Sequence, residues 1–266
     1  MKIPFSKYHG AGNDFVMIDN TSAIFSANKL PVKSICHRRF GIGADGLILL
    51  ESSKEFDFKM LYFNSDGNPG TMCGNGGRST VAFAHRLKLI GATTTFLASD
   101  GTHTASIDQD SGKIKLISLG MSPVSEIIQT DEGGFFLNTG SPHLVIFSDN
   151  IDDLDVYKEG KRLRYDKRFA PGGCNVNFVE IINQNHLYVR TYERGVEDET
   201  YACGTGITAS ALSFANKNHL DKGTLSMKAK GGDLKVSWQK INSIYNNIVL
   251  SGPAEWVFDG IIEIND

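Results

Sequence analysis

The chain has 266 residues, of which 41% are hydrophobic and 10% aromatic, an ordinary balance for a folded protein of one large domain or two of usual size. Its 27 basic and 30 acidic side chains give a formal net charge of −3, so the composition favours neither nucleic acid nor an anionic membrane as a partner. The longest apolar runs, such as residues 46–50, are too short to cross a bilayer.

Cysteine usage and the first residues indicate the compartment. Four cysteines in a chain of this length are too few for a disulfide scaffold, and none is spaced two residues from another as in a zinc knuckle. The first five residues lack the apolar core of a signal peptide, which predicts a cytoplasmic location with reduced thiols. A thiol with a special role must then be distinguished by its surroundings.

The first half of the chain predicts a strand, a turn, a helix and a hairpin. Apolar and polar residues alternate over residues 56–62, and the turn-rich segment 64–70 ends that strand. A segment rich in alanine predicts a helix over 81–90, closed by Gly91. Strands are predicted over 93–97 and 102–107 as a hairpin, followed by another strand over 113–119.

The second half repeats this order. A hairpin is predicted over 178–182 and 186–192, a helix over 207–216, and two strands over 224–228 and 234–238. The second helix carries small side chains nearly all round, which indicates a helix wrapped closely by sheet. The sequence therefore predicts an α+β fold of two similar lobes, with a boundary near residues 120–123.

The repeat includes a cysteine in each copy. Residues 72–76 read MCGNG and residues 202–206 read ACGTG, so that Cys73 and Cys203 lie 130 residues apart, as do Tyr62 and Tyr192. Each cysteine directly precedes a predicted helix, whose first N–H groups lack internal partners and whose dipole favours negative charge. A thiol there is expected to have a lowered pKa, and the glycines allow the backbone to approach a carboxylate. One thiol on each face of a carbon is the arrangement that inversion of a stereocentre needs.

A glycine-rich motif at residues 41–46 is not interpreted as a dinucleotide-binding loop. Residues 41–46 read GIGADG and fit the G-x-G-x-x-G pattern of dinucleotide-binding loops, which follow a strand and open a helix. Here a helix predicted over 32–39 precedes the motif and a strand over 47–50 follows it, which is the reverse order. The sequence therefore predicts a turn at this point.

With both cysteine motifs in place, the chain resembles the diaminopimelate epimerase family. The resemblance is carried by residues 7–15 (KYHGAGNDF), 41–46 (GIGADG), 64–67 (NSDG), 72–76 (MCGNG), 142–143 (PH), 175–178 (NVNF), 190–195 (RTYERG) and 202–206 (ACGTG). Proline racemase-like enzymes look similar around the cysteines, but residues 9–15 and 193–195 are features of the epimerases. One departure is Ser141, where the family usually has Asn, and another is Gly46, where some members carry Gln.

The resemblance implies a cofactor-independent isomerase that interconverts LL- and meso-diaminopimelate for lysine and peptidoglycan synthesis, without a metal. It implies two pseudo-symmetric lobes, each a barrel-like sheet around a central helix, with the substrate in a cleft between them. The lobes would comprise residues 1–119, together with a C-terminal strand at about 252–266, and residues 120–251. A homodimer is usual in the family.

The resemblance also implies the roles of individual residues. Cys73 and Cys203 would be the acid/base pair, and His143 and Glu193 would tune the thiols. The backbone N–H groups expected at the reacting carboxylate are those of Gly74, Asn75, Gly204 and Thr205. The side chains expected to bind substrate are Asn13 at the reacting end and Asn64, Asn177, Glu193 and Arg194 at the distal end. Cys36 and Cys174 have no partner in the repeat and are expected to be core residues.

Two other interpretations remain open at the level of sequence. The first is a redox-responsive binding protein whose Cys73 and Cys203 form a reversible disulfide, although this gives no reason for Asn64, Asn177 and Arg194. The second keeps the chemistry but changes the substrate to proline or another amino acid.

Overall fold

The computed structural model describes residues 1–25, 30–131 and 133–264, and its chain divides into two compact units. The first unit comprises residues 1–119 and 252–266, and the second comprises residues 120–251. The last two residues of the predicted C-terminal strand lie outside the described part. In the described part, no helix is long and apolar enough to span a membrane.

The first unit is a closed sheet around one long helix. In chain order it contains β1 (Lys2–Gly10), β2 (Asn13–Asp19), α1 (Val32–Cys36), β3 (Gly46–Glu51), β4 (Phe58–Asn64), α2 (Gly74–Arg86), β5 (Thr93–Ala98), β6 (Gly101–Asp110) and β7 (Ile114–Met121). These strands pair in chain order, and the final strand β16 (Ile244–Glu263) pairs with both β7 and β1, which closes the sheet. Helix α2 lies inside it, with residues 74–84 all buried.

The second unit repeats this plan. It contains β8 (Ile127–Gln129), β9 (Phe135–Asn138), β10 (Pro142–Phe147), α3 (Val156–Arg164), β11 (Asn175–Asn183), β12 (His186–Glu193), β13 (Asp198–Thr200), α4 (Gly204–Lys217), β14 (Lys222–Ala229), β15 (Gly232–Ile241) and the first part of β16. Two short 3-10 helices flank α3, at Ile151–Asp153 and Lys167–Phe169. Strand pairing runs from β8 to β16, and a bridge between Val124 and Tyr245 joins the segment before β8 to β16. Residues 204–215 of α4 are all buried.

The repeat predicted from the sequence is confirmed in the order and pairing of the elements. In each unit a strand enters the cysteine segment, a buried helix follows, and the strand after the helix pairs parallel with the strand before it, as β4 with β5 and β12 with β14. The predicted hairpins are the antiparallel pairs β5–β6 and β11–β12. The strand-rich α+β fold is therefore as predicted.

The predicted helix bounds were wrong at several ends. Helix α2 begins seven residues before the predicted start, at Gly74, and α4 begins at Gly204, because burial on all sides outweighs the low helix propensity of glycine. Helix α2 also ends before Gly91, since Lys88 takes the left-handed conformation (φ 61°) and the N–H of Leu89 bonds to the carbonyl of Ala84 at 3.0 Å. Helix α1 ends at Cys36 because His37 is extended.

Both remaining cysteines are core residues, as predicted. Cys36 packs with Val32 and Ile35 in the first unit, and Cys174 packs with Leu144 and Val176 in the second. Burial raises the pKa of each of these two thiols to about 12. They are therefore poor nucleophiles and poor bases at neutral pH.

Candidate functional site

Each catalytic candidate occupies the residue before a buried helix. Cys73 is the N-cap of α2 with φ −112° and ψ 119°, and Cys203 is the N-cap of α4 with φ −112° and ψ 110°. The cysteine carbonyl accepts the first intrahelical bond in each case, from Gly77 at 2.7 Å and from Ile207 at 2.8 Å. The two thiols therefore start from the same backbone geometry.

This geometry places each thiol at the positive end of a helix. The first-turn residues Gly74, Asn75, Gly204 and Thr205 are all buried. The N-terminal N–H groups of a helix and the helix dipole, equivalent to about half a positive charge, favour an anion beside each cysteine. An enolate-like carboxylate and a thiolate are the anions that such a helix end can stabilise.

Asn13 contacts the first thiol. Cys73 Sγ donates to Asn13 Oδ1 at 3.4 Å, and Asn75 Nδ2 donates to the same oxygen at 3.4 Å. Asn13 Nδ2 donates in turn to Asp45 Oδ2 at 2.7 Å. The amide predicted to lie at the reacting end is thus held between a carboxylate and the first turn of α2.

Asp45 belongs to a cluster of charged side chains. Arg38 donates to Asp45 Oδ1 at 2.6 Å and to both oxygens of Asp14, and Lys7 lies 2.8 Å from Asp14. Burial opposes the charge on Asp14, but hydrogen bonds from Arg38 and Lys7 lower its pKa to about 2. Burial and the charge of Asp14 raise the pKa of Asp45. The GIGADG segment lies between α1 and β3, where residues 41–45 form no regular element and Gly46 begins β3. It supplies Asp45 to the surroundings of Cys73, here called the first half-site; those of Cys203 are the second half-site.

Arg78 is the largest fully buried side chain of the described residues. Its guanidinium donates to the Gly74 carbonyl at 3.3 Å, to Asn75 Oδ1 at 2.7 Å and to the Pro253 carbonyl at 3.5 Å. Within the described part of the chain, no ion pair joins it to a carboxylate. Burial lowers the pKa of Arg78 to about 10, and a thiolate at Cys73 would act to raise it.

Thr205 and His143 line the second thiol. Cys203 Sγ lies 3.4 Å from Thr205 Oγ1, which lies 2.9 Å from His143 Nε2. His143 is fully buried, and burial together with the charge of Arg194 lowers its pKa to about 3. The imidazole is therefore neutral at physiological pH.

Asn177 fixes the other side of the imidazole. Its Nδ2 lies 3.1 Å from His143 Nδ1 and donates to the Leu144 carbonyl at 3.1 Å, while its Oδ1 accepts from Thr191 Oγ1 at 3.0 Å. Asn177 is fully buried, so its observed role is to hold His143. Its contact with a substrate stays a prediction.

The residues predicted for the distal end lie at strand ends. Asn64 ends β4, Glu193 ends β12 and Arg194 follows it, and all three side chains are half-buried. Thr200 Oγ1 donates to Glu193 at 2.9 Å. Among the described residues, the Arg194 guanidinium forms no ion pair, which leaves its charge available to an anion.

Ser141, the position that departs from the family pattern, acts through Asn175. Asn175 Nδ2 donates to Ser141 Oγ at 2.9 Å, and Asn175 Oδ1 accepts the backbone N–H of Arg194 at 2.8 Å. The serine hydroxyl thus helps to fix the backbone at Arg194.

Sequence reasoning missed several of these contacts. Asp45, Arg78, Asn175 and Thr191 were not predicted as site residues, although all but Arg78 lie within motifs that carry the family resemblance. No comparable signal for Arg78 is present in the sequence, because this residue precedes the helix predicted over 81–90 and lies in α2 only in the structure.

Comparisons with known proteins extend over the whole chain. A family model described as diaminopimelate epimerase matches residues 5–125 and 135–257. The diaminopimelate epimerase of Flavobacterium psychrophilum is 49% identical over 257 residues, covering 96% of this chain and 98% of that protein. The diaminopimelate epimerase of Chlorobaculum tepidum is 44% identical over 265 residues, covering 96% of this chain and 99% of that protein.

Solved structures share the fold at low identity. A phenazine biosynthesis protein of the PhzF family from Bacillus anthracis matches with a TM-score of 0.77 at 15% identity, covering 99% of this chain and 100% of that chain. A hydroxyproline epimerase from Agrobacterium vitis, solved with bound trans-4-hydroxy-L-proline, matches with a TM-score of 0.76 at 12% identity, covering 100% of this chain and 93% of that chain. At these identities the likeness concerns the fold alone.

Proposed function

The chain belongs to the diaminopimelate epimerase family, and we propose that it interconverts LL- and meso-diaminopimelate with Cys73 and Cys203 as its acid/base pair. The observation that carries this proposal is the repeated N-cap cysteine, present at the start of a buried helix in both units of a chain that matches the family over its full length. The protein is an isomerase of lysine biosynthesis.

The reaction needs two proton transfers at one carbon. A thiolate takes the α-hydrogen as a proton and leaves the electron pair on the α-carbon, from which it spreads onto the carboxylate. The N–H groups of Gly74, Asn75, Gly204 and Thr205 stabilise the developing charge. The other thiol then delivers its proton to the opposite face. No electrons are gained or lost, and the two sulfurs end the turnover with their protonation states exchanged.

Recognition of the distal end selects the substrate. Arg194 suits a second carboxylate, because a guanidinium donates in a planar fork that matches it. Glu193 suits a second ammonium, and Asn64 supplies an amide that can donate or accept. Support for these roles comes from their positions at strand ends and from the absence of an ion pair at Arg194 in the described part of the chain. Asn13 would contact the reacting end beside Cys73.

The remaining features of the proposal follow from the family. We expect a homodimer in the cytoplasm that uses neither metal nor organic cofactor, since thiols and helix ends account for both proton transfer and carbanion stabilisation. Activity should survive dialysis against a chelator, fail after thiol oxidation and return on reduction. If activity were lost on dialysis against a chelator and restored by adding a metal, this part of the proposal would be contradicted.

A side-by-side substrate assay tests the proposed function. Purified protein is incubated separately with LL-diaminopimelate, lysine, proline and alanine, and the stereoisomers are separated by chiral chromatography. Diaminopimelate should be converted well and the others poorly, because a site built to pair two charged distal groups leaves its own polar atoms unsatisfied with shorter substrates. Faster racemisation of proline would refute the assignment of substrate.

A further inference from the structure

The two thiols are contacted by groups of opposite hydrogen-bonding character. The two positions that follow the cysteines at the same offset, Asn75 and Thr205, carry an amide in one repeat and a hydroxyl in the other. Likewise Arg78 and Thr208, 130 residues apart, both donate to the carbonyl four residues earlier, but one of them carries a charge. The repeat therefore preserves the backbone and changes the chemistry around each sulfur.

In the first half-site, a chain of hydrogen bonds has one possible direction. Arg78 can only donate, so the Asn75 atom that it contacts at 2.7 Å is the amide oxygen, and the Asn75 amino group is directed to Asn13. At the other end, Asp45 Oδ2 accepts from the backbone N–H of Asp14 at 3.1 Å and therefore also accepts from Asn13 Nδ2. Both ends require the carbonyl oxygen of Asn13 to face Cys73. That oxygen can accept a hydrogen bond from a thiol and repels a thiolate.

In the second half-site, the direction is reversed. Asn177 must direct its amino group to the Leu144 carbonyl, so His143 Nδ1 accepts from the same amino group. A neutral imidazole then carries its proton on Nε2, which donates to Thr205 Oγ1 at 2.9 Å. Asn175 Nδ2 also lies 3.4 Å from Nε2, but its two hydrogens have closer acceptors in Ser141 Oγ at 2.9 Å and the Pro142 carbonyl at 3.2 Å. The single hydroxyl hydrogen of Thr205 is therefore available to Cys203 Sγ at 3.4 Å. A donor to sulfur stabilises the thiolate.

We propose that Cys203 is the thiolate and Cys73 the thiol in the free enzyme, with Asp45 and Thr205 as the positioning residues that set this difference. The catalytic consequence rests on the proposed function: Cys203 removes the first proton, and the isomer whose α-hydrogen faces Cys73 must wait for the protonation states to exchange. The assignment of the proton itself needs no substrate.

Charged groups around the two thiols act in both directions. The charge of Arg78 acts on Cys73 and favours a thiolate, while the carboxylate of Asp45, which binds Asn13 and is paired with Arg38, opposes it. Arg78 directs its donors to two carbonyls and an amide and none of these bonds to sulfur, whereas Asn13 contacts the sulfur directly.

On the side of Cys203, the charge of Arg194 acts on His143 and favours a thiolate, whereas a carboxylate such as Glu193, the residue before Arg194, opposes it. The helix dipoles are common to both thiols and therefore cancel in the comparison. Cys203 is the more buried of the two thiols, and burial by itself opposes its thiolate. In the proposed order the direct contacts outweigh this, since a hydrogen bond to a charged group is stronger than one between neutral groups.

The test measures alkylation of each cysteine by iodoacetamide as a function of pH, in the unliganded wild-type protein, with the modified site identified by peptide mass spectrometry. The midpoint of each profile reports the thiolate population and not access to the sulfur, which matters because Cys203 is the more buried of the two. Cys36 and Cys174 serve as internal references that react only at much higher pH. Cys203 should have the lower midpoint. A midpoint for Cys73 equal to or below that of Cys203 would overturn the proposal.

Variants test the two positioning residues. Thr205→Val removes the donor at nearly constant shape and should raise the Cys203 midpoint by roughly one pH unit, while Thr205→Ser should restore it. Asp45→Asn removes a negative charge that opposes the thiolate and one of the two bonds that orient Asn13, and should lower the Cys73 midpoint. Asp108→Asn, at an exposed carboxylate of the same unit, should change neither thiol. An unmoved Cys203 midpoint in Thr205→Val would contradict the proposed donor.

The outcome is separable from that of the proposed function. A protein that epimerises diaminopimelate but ionises Cys73 first refutes this inference alone. A protein that ionises Cys203 first but converts no diaminopimelate refutes the proposed function and leaves the thiol order standing.

Discussion

His143 should make the protein measurably less stable as the pH falls. Because burial lowers the pKa of this imidazole from 6.5 to about 3, the unfolded chain binds a proton below pH 6.5 that the folded protein does not. Each pH unit in this window then costs about 1.4 kcal/mol, so that about 2 kcal/mol of unfolding free energy is lost by pH 5. Single domains are typically stable by about 5–15 kcal/mol, so the loss is large enough to measure.

The measurement is urea unfolding between pH 7.5 and pH 5, for the wild type and for His143→Gln. Glutamine can accept from Asn177 and donate to Thr205 as the neutral imidazole does, but it does not titrate. The variant should therefore lose about 2 kcal/mol less than the wild type over this range, since the contributions of other groups cancel in the difference.

The matched control is His219→Asn, which removes an exposed histidine and should leave the pH dependence unchanged. Equal pH dependence in the wild type and His143→Gln would refute the buried neutral imidazole, and with it the proton on Nε2 that directs Thr205 toward Cys203.

Three further predictions concern the half-sites. Gly206→Ala should cost about 1–3 kcal/mol of unfolding free energy and most of the activity, because its Cβ would lie 2.3 Å from Asn177 Oδ1. In the equivalent Gly76→Ala, the Cβ meets the ends of two apolar side chains at 3.1 and 3.2 Å and is in ordinary contact with Cys73 Cβ at 3.5 Å, so this variant should be nearly neutral by urea unfolding. Arg194→Lys should raise KM for diaminopimelate at least tenfold in steady-state assays, since a point charge replaces a planar fork, and an unchanged KM would exclude the contact. Ser141→Ala should raise KM by a smaller factor than Arg194→Lys, because Asn175 loses one partner but still binds the Arg194 backbone. An increase in KM as large as that of Arg194→Lys would contradict this prediction.

The sequence predicts the repeated order of elements because alternation, turn residues and small helical side chains are local signals. It does not predict where α2 and α4 begin, since glycine in a first turn disfavours a helix locally and the burial that outweighs this is a property of the whole unit. For the same reason the end of α2 at Lys88 is not visible in the sequence, where Gly91 is the stronger signal.

The cysteines could be predicted as a pair because they recur at a fixed offset before helices. The contacts that distinguish the two cysteines could not be predicted, because the partners are far apart in the sequence. Asp45 and Asn13 are 32 residues apart, Asn177 and Thr191 are 14 apart, and His143 and Thr205 are 62 apart. Such contacts depend on strand register, in which His143 pairs with Asn175 and Asn177 pairs with Thr191. Register is fixed by tertiary structure, and no single segment encodes it.

The central claim is that two thiols act on one carbon, and solvent deuterium exchange tests it most directly. LL-diaminopimelate is incubated in deuterium oxide with the wild type, Cys73→Ala, Cys203→Ala and, as a control thiol outside the half-sites, Cys36→Ala. The wild type and Cys36→Ala should form meso product that carries deuterium at the inverted carbon, because the thiol that delivers the proton has exchanged with solvent. Neither Cys73→Ala nor Cys203→Ala should form the meso isomer, and near-normal epimerisation by either one would contradict the account.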